Sequence, residues 1–164
     1  MKKVYQTIVH QEYGDCMRAA IASLLEKDIS EVPNFIAFPM PNYELMKYLR
    51  ENKHGFAIWT CKHFTSEGFN RINSIELTKK VLSVDGGVKG YFYASVQSQT
   101  FGGTNTHAVI IDSDMNIVHD PNPSEKCLSL TADDIIDILV VSDDWYFKQD
   151  GNISKIKCDY PENN

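Results

Sequence analysis

The stretch "DCMRAAIASLLEK", residues 15–27, limits what the chain can fold into more than any other segment does. Met17, Ala19, Ala20, Ile21, Ala22, Leu24 and Leu25 cover most of the circumference of the helix they would form, so that helix belongs in the interior. Asp15 is placed to cap it. The remaining elements must therefore wrap a buried helix whose first residue is a cysteine, Cys16.

Ahead of it, "VYQTIV" (4–9) reads as a short strand closed by the polar turn "HQEYGD". Behind it, "DISEVPNFIAFPMP" holds Pro33, Pro39 and Pro41 and predicts an irregular loop with at most a helical turn. "NYELMKYLRENK" spaces Leu45, Met46, Tyr48 and Leu49 for an amphipathic helix, and "FAIWT" reads as a buried strand. "NSIELTKKVLSV" is a helix candidate capped by Asn73 or Ser74 and ended by Gly86 and Gly87.

Strands follow at "GYFYASVQ", "HAVIID" and "IVHD", the last two joined as a hairpin through "SDMN". "TADDIIDIL" predicts a helix capped by Thr131 with a solvated acidic face, and "DWYFK" a last strand. Helices first and strands later predict an α+β fold in one domain over residues 1–150, with a polar tail over 151–164.

A chain of 164 residues with 43% hydrophobic content can bury a core without disulfides or metal. Its net charge of −6 leaves few cations to neutralise a phosphate backbone, so nucleic acid is not an expected partner. No apolar run approaches the ~18 residues of a membrane span, and "MKKVYQTIVHQEYG" has no hydrophobic segment of signal-peptide length. The expectation is a cytoplasmic protein without membrane partners. Cys16, Cys61, Cys127 and Cys158 form no CxxC pair, which fits free thiols in a reducing compartment, and no motif calls for a cofactor.

At the first turn of a helix, unpaired N–H groups and the macrodipole favour an anion and lower a thiol pKa. Cys16 is therefore a candidate nucleophile, although a cysteine there also serves as a small hydrophobe. A nucleophilic thiol needs an imidazole to take its proton. Of the five histidines, His107 opens a strand beside the Gly-rich "FGGTNT", with His119 its closest rival; His10, His54 and His63 lie in polar surroundings that suggest the surface.

The imidazole in turn needs a group to hold its ring. Antiparallel return of the chain after "SDMN" brings Asp120 back toward His107, with Asn122 as a substitute, though "DPNPS" is also a plain turn. Gln11, five positions before Cys16, can supply an oxyanion donor with the Cys16 N–H; His10 and Glu12 compete for that place.

Cys127 and Cys158 lie in stretches without a nearby histidine. A zinc site from Cys61 and His63 with Cys127 or Cys158 matches no common finger or ribbon spacing. The aromatics read as strand core, with Tyr91 or Tyr93 able to line a cleft.

Taken together, "QEYGDCMRAAIASLL", "THAVIID" and "HDPNP" resemble the papain-like cysteine peptidases, most closely the bacteriocin-processing (double-glycine leader) peptidase group. The resemblance implies a papain-like fold with a cleft between two parts. It also implies Cys16 as nucleophile, His107 as base and acid, Asp120 as orienting acid and Gln11 as oxyanion donor. The chain has Met17 where that family has Gly, and Gln11 stands one residue nearer the cysteine than is usual there. Segments such as "EVPNF" and "HDPNPS" are also similar to small phage and bacterial proteins, a likeness that supplies no activity.

The leading expectation is a cysteine-dependent hydrolase that cleaves a peptide, isopeptide or other amide bond of a peptide or protein substrate through an acyl-thioester. The same trio suits transfer of the acyl group to an amine, as in transglutaminase-like enzymes. A third expectation is a non-catalytic binding protein of phage inhibitor or adaptor type on a papain-like scaffold.

Overall fold

The computed structural model describes residues 1–142. Helix α1 (Cys16–Leu24) forms where the apolar run predicts it, with Ala19, Ala20, Ile21, Ala22 and Leu24 buried. Complete burial of Ile21 and Leu24 contributes roughly 1.5–3 kcal/mol each. The alanines let the helix lie close against the sheet, so a larger residue at Ala20 would overpack the contact.

The proline-rich loop contains two 3-10 turns, Ile29–Glu31 and Phe35–Ala37. Helix α2 (Pro41–Glu51) begins one residue earlier than expected because Pro41 supplies the fixed φ suited to a first helical position. Strand β1 (Gly55–Thr60) is half-exposed rather than buried, with Ile58 51% exposed. The cause is its edge position: among the described residues it pairs only with the strand Ile135–Ser142.

Next comes a hairpin that the sequence pattern did not suggest, β2 (Lys62–Thr65) and β3 (Gly68–Arg71). It stands apart as a two-stranded sheet. Helix α3 (Ile75–Asp85) has Ser74 as its cap, accepting from the Leu77 N–H, and closes on left-handed Gly86.

Strands β4 (Tyr91–Gln97), β5 (Thr106–Asp112) and β6 (Ile117–His119) come next, as expected, β5 and β6 paired as an antiparallel hairpin. The helix expected over "TADDIIDIL" is instead strand β7 (Ile135–Ser142). Thr131 does cap, accepting from the Asp133 N–H, but it caps only the 3-10 turn Ala132–Asp134. Beyond that turn the apolar Ile135–Val141 run is drawn between β1 and β4, where extended backbone pairs on both sides.

The main sheet is antiparallel in the order β1-β7-β4-β5-β6. Side chains alternate across it. Tyr93, Ala108, Ile110, Leu139 and Val141 face α1 and α2, while Phe92, Ala94, Val96, Val109, Ile111, Ile138 and Val140 pack with Leu82 of α3. The class is α+β, as expected, but with strands β1–β3 inserted between α2 and α3 rather than helices and strands cleanly segregated. The expected strand "DWYFK" and the 151–164 tail lie outside the described residues.

Residues 4–9 form no strand. Their polar backbone groups are satisfied by side chains and a loop instead. The Val4 N–H donates to Ser23 Oγ at 2.9 Å, the Gln6 N–H to the Pro121 carbonyl at 2.9 Å, and the Thr7 and Ile8 N–H groups to Asp15 at 2.9 and 2.8 Å.

Candidate active site

The N-terminal segment and α1 meet at a tight turn that fixes where Cys16 sits. A Cβ on Gly14 would come within 2.5 Å of the His10 carbonyl oxygen, so only glycine fits there. Asp15 occupies the cap position, but its fully buried carboxylate makes no capping bond. It turns back to accept from the Thr7 N–H, Thr7 Oγ1 and Ile8 N–H, because the segment 4–9 offers it three donors and no sheet competes for them. Cys16 then opens α1, half-exposed, with a backbone N–H that has no partner within the helix.

His107 and Asp120 reach the same place from the other half of the chain. Pairing of Ile110 with His119 across β5 and β6 carries Asp120 back beside the start of β5. The His107 ring is 9% exposed and its Nε2 meets Asp120 Oδ1 at 2.7 Å. Asp120 is fully buried and also accepts from the Asn122 N–H at 2.8 Å and the Cys127 N–H at 2.9 Å. With Nε2 held by the carboxylate, Nδ1 is the ring nitrogen left for the Cys16 thiol, which lines the same cleft and favours the charged imidazole.

These contacts set the electrostatics. Burial works against a charge on His107, but the hydrogen bonds with Asp120 and Cys16 outweigh it and push the imidazole up to about 9. Burial likewise raises the Asp120 carboxyl, and the bonds from His107, Cys127 and Asn122 overcome it and hold the group below its usual range. At neutral pH the pair is imidazolium and carboxylate.

The three described thiols differ sharply. Cys61 and Cys127 are buried, and burial pushes both upward, Cys127 to about 12 with the added effect of the Asp120 charge. They stay protonated at neutral pH. Cys16 is the described thiol that opens into a cleft, shared with Gln6, Gln11, Asn105, His107 and Asn122.

Cys127, expected to lack a neighbouring histidine, lies with its sulfur among His107 and Asp120; the ligand atoms of the three are within 4.8 Å of one another. By residue type the set could hold a metal ion. Its hydrogen bonding argues for another use, because both Asp120 oxygens already serve three donors and the adjacent imidazole nitrogen is one of them. The Cys61 and His63 combination is not assembled: Cys61 is sealed beside Thr78 at 4.0 Å and His63 is exposed on β2. Cys158 lies outside the described residues.

The other candidates take different places. His119 is fully buried and donates through Nε2 to the Val4 carbonyl at 2.9 Å, so it pins the N-terminal segment. Burial lowers its pKa. His10, expected at the surface, is half-buried, stacks on Tyr13 at 3.5 Å between centroids and lines the cleft. Gln11 is exposed, bridging to Asn105 Oδ1 at 3.3 Å. Asn122 supports Asp120 through its backbone, while its side chain reaches Thr100 and Ser124. Tyr93 is buried under α1, away from the cleft lining.

Gln6 was not anticipated. Its side chain is 7% exposed and also lines the cleft; Oε1 has no partner, and Nε2 reaches the Ile8 carbonyl only at 3.4 Å, the outer edge of hydrogen bonding. The strand-like pattern of "VYQTIV" hid it, since a strand would have sent Gln6 to one sheet face or the other. No protein-family model, curated protein or solved structure matches this chain. Among the described residues no helix is long and apolar enough to cross a membrane.

Proposed function

We propose that this protein is a cysteine-dependent amide hydrolase of papain-like fold, acting on a peptide or protein. The observation that carries the reading is the Asp120–His107 pair, 2.7 Å apart, lining one cleft with Cys16 at the tip of an interior helix. A cytoplasmic setting accords with three free thiols among the described cysteines.

In this reading the Cys16 sulfur attacks the carbonyl carbon of a bound amide. Charge develops on the carbonyl oxygen, which the Cys16 N–H faces as a donor without a helical partner. A glutamine amide adds a second donor, Gln11 from the rim or Gln6 from the wall. The His107 imidazolium gives its proton to the departing amine, leaving an acyl-thioester and a neutral ring. Neutral His107 then takes a proton from water, which attacks the thioester carbonyl; collapse frees the acid and expels the Cys16 sulfur as thiolate beside imidazolium His107, the pair with which the cycle began.

Iodoacetamide labelling of the folded protein at pH 7, with peptide mapping of the product, tests the reading. Cys16 is expected to react at least ~10-fold faster than Cys61 or Cys127. Equal rates would remove the activated thiolate and with it the hydrolase.

A further inference from the structure

The cleft at Cys16 has a volume of only about 40 Å³. That is little more than the share of one water molecule in the liquid, so recognition of a substrate side chain has to take place elsewhere. A larger cavity, about 340 Å³, lies between the β2–β3 hairpin and residues 97–103. Its size falls at the lower end of the range typical of ligand pockets.

We infer that this cavity binds an aromatic side chain of the same polypeptide whose amide bond is held at Cys16. The identity of the occupant rests on the hydrolase reading; the cavity and its preference for an aromatic amide do not.

Three observations carry the inference. One loop walls both spaces: Gln97, Gln99 and Gly103 line the cavity, while Ser98, Thr100, Phe101 and Asn105 line the cleft. Beyond Gln97 the chain runs in turns, and this one loop, lined on one side by the cavity and on the other by the cleft, is all that separates the two spaces. The wall is braced, with the Ser98 N–H on the Asn105 carbonyl at 2.8 Å, Gly102 N–H on the Ser98 carbonyl at 2.9 Å and Gln97 Nε2 on the Gly103 carbonyl at 2.6 Å.

The lining itself suits an aromatic residue in a peptide. Phe64 and Phe69 are cross-strand partners, packed edge to face at 5.4 Å; both line the cavity, and Phe64 is 58% exposed. Leu130 and Ile136 close the apolar side. An incoming ring adds a third member to this edge-to-face arrangement. Gln97 and Gln99 supply carboxamides for a peptide backbone. The cavity is bordered by Lys62 and by the carboxylates of Glu67 and Asp134, a net charge of one minus that disfavours an anionic side chain and leaves a neutral one acceptable.

Two measurements on the full chain test this. In the first, N-acetyl-phenylalaninamide is titrated into the 15N-labelled protein. Saturable amide shifts are expected at Phe64, Gln97, Gln99, Leu130 and Ile136, absent with N-acetyl-alaninamide and weakened roughly tenfold in Phe64→Ser. Phe64 is mostly exposed, so the variant keeps its fold, and the rest of its spectrum checks this. Shifts elsewhere, equal shifts with the alanine amide, or indifference to Phe64→Ser would overturn the site.

In the second, oligoglycine peptides carrying an N-terminal iodoacetyl group and one Phe at successive positions alkylate Cys16. A single favoured position is expected, roughly tenfold faster than the others and lost in Phe64→Ser. A flat series would separate the cavity from the substrate path. Iodoacetamide alone reports the hydrolase reading and is expected to be unchanged by Phe64→Ser, so failure of that reading is told apart from failure of this one.

Discussion

Two buried histidines bracket the β5–β6 hairpin, and they carry different charges. His107 meets a carboxylate, Asp120, at 2.7 Å; His119 meets a neutral carbonyl, that of Val4, at 2.9 Å, and its Nδ1 has no partner among the described residues. Burial opposes protonation in both. Only at His107 do the Asp120 and Cys16 bonds overcome it, so that ring holds a proton to about 9 while His119 remains below its ordinary value. Depth sets the penalty and the partner sets the outcome: one ring can carry a proton for chemistry, and the other is a strut for the N-terminal segment.

The most severe way to break this contrast is Asp120→Asn. Without the anion, burial acts on His107 as it does on His119, and its pKa should fall below the ordinary 6.5, read by NMR of the ring protons. The amide also cannot accept from both the Asn122 and Cys127 N–H groups and the imidazole. A loss of ~3–5 kcal/mol in urea unfolding is expected, and the preferential alkylation of Cys16 is expected to disappear. A His107 that stays charged would show that Asp120 is not its partner.

The next largest effect is on stability against pH. His107 is raised, so its contribution is complete below about 6.5 and lost as pH climbs toward about 9, an amount near 3 kcal/mol at most. His119 is lowered, so below 6.5 the unfolded chain binds the extra proton and stability falls with pH. Asp120, also lowered, adds a further loss below its ordinary 3.8. Urea midpoints should therefore peak near pH 6.5, with the alkaline loss absent from His107→Gln.

The structure also shows which physical signals reach the surface of a sequence. The α1 run and the β5–β6 hairpin were legible because periodicity and burial agree there, and that hairpin was enough to bring His107 and Asp120 together. "TADDIIDIL" misled because its capping pattern is genuine but governs one turn, while pairing with β1 and β4 decides the conformation of the residues beyond it. The hairpin over 62–71 lacks an apolar face against the core, and its Gly68 at φ 119° was its main mark. Cys127 was misjudged because it is seven residues from Asp120 in sequence and adjacent through a loop. Gln6 is hidden by an apparent strand whose partners are side chains and a loop rather than another strand.

A smaller effect isolates the strut. His119→Gln keeps a donor for the Val4 carbonyl and removes the ring and its titration. It should cost about 1–3 kcal/mol. The acid-side loss between pH 6.5 and 5 should disappear while the alkaline loss remains, and the rate of Cys16 alkylation should be unaltered. Loss of the alkaline limb instead would mean that the two rings are coupled.

The finest discrimination lies between the two glutamines of the cleft. Gln11 is exposed and tied to Asn105 at 3.3 Å, so truncating it removes a rim contact with water ready to replace it. Gln6 is buried, with Oε1 unpartnered and Nε2 barely engaged at 3.4 Å, a state that leaves its amide free to turn toward a developing negative oxygen. Peptide aldehydes form a tetrahedral adduct with a thiolate and so report the oxyanion site directly, whereas iodoacetamide, which reacts at a saturated carbon, does not. Gln6→Ala should weaken aldehyde binding by ~100-fold and Gln11→Ala by less than ~3-fold, with iodoacetamide rates unchanged in both. The reverse order would return the donor to Gln11 and leave Gln6 as a wall of the cleft.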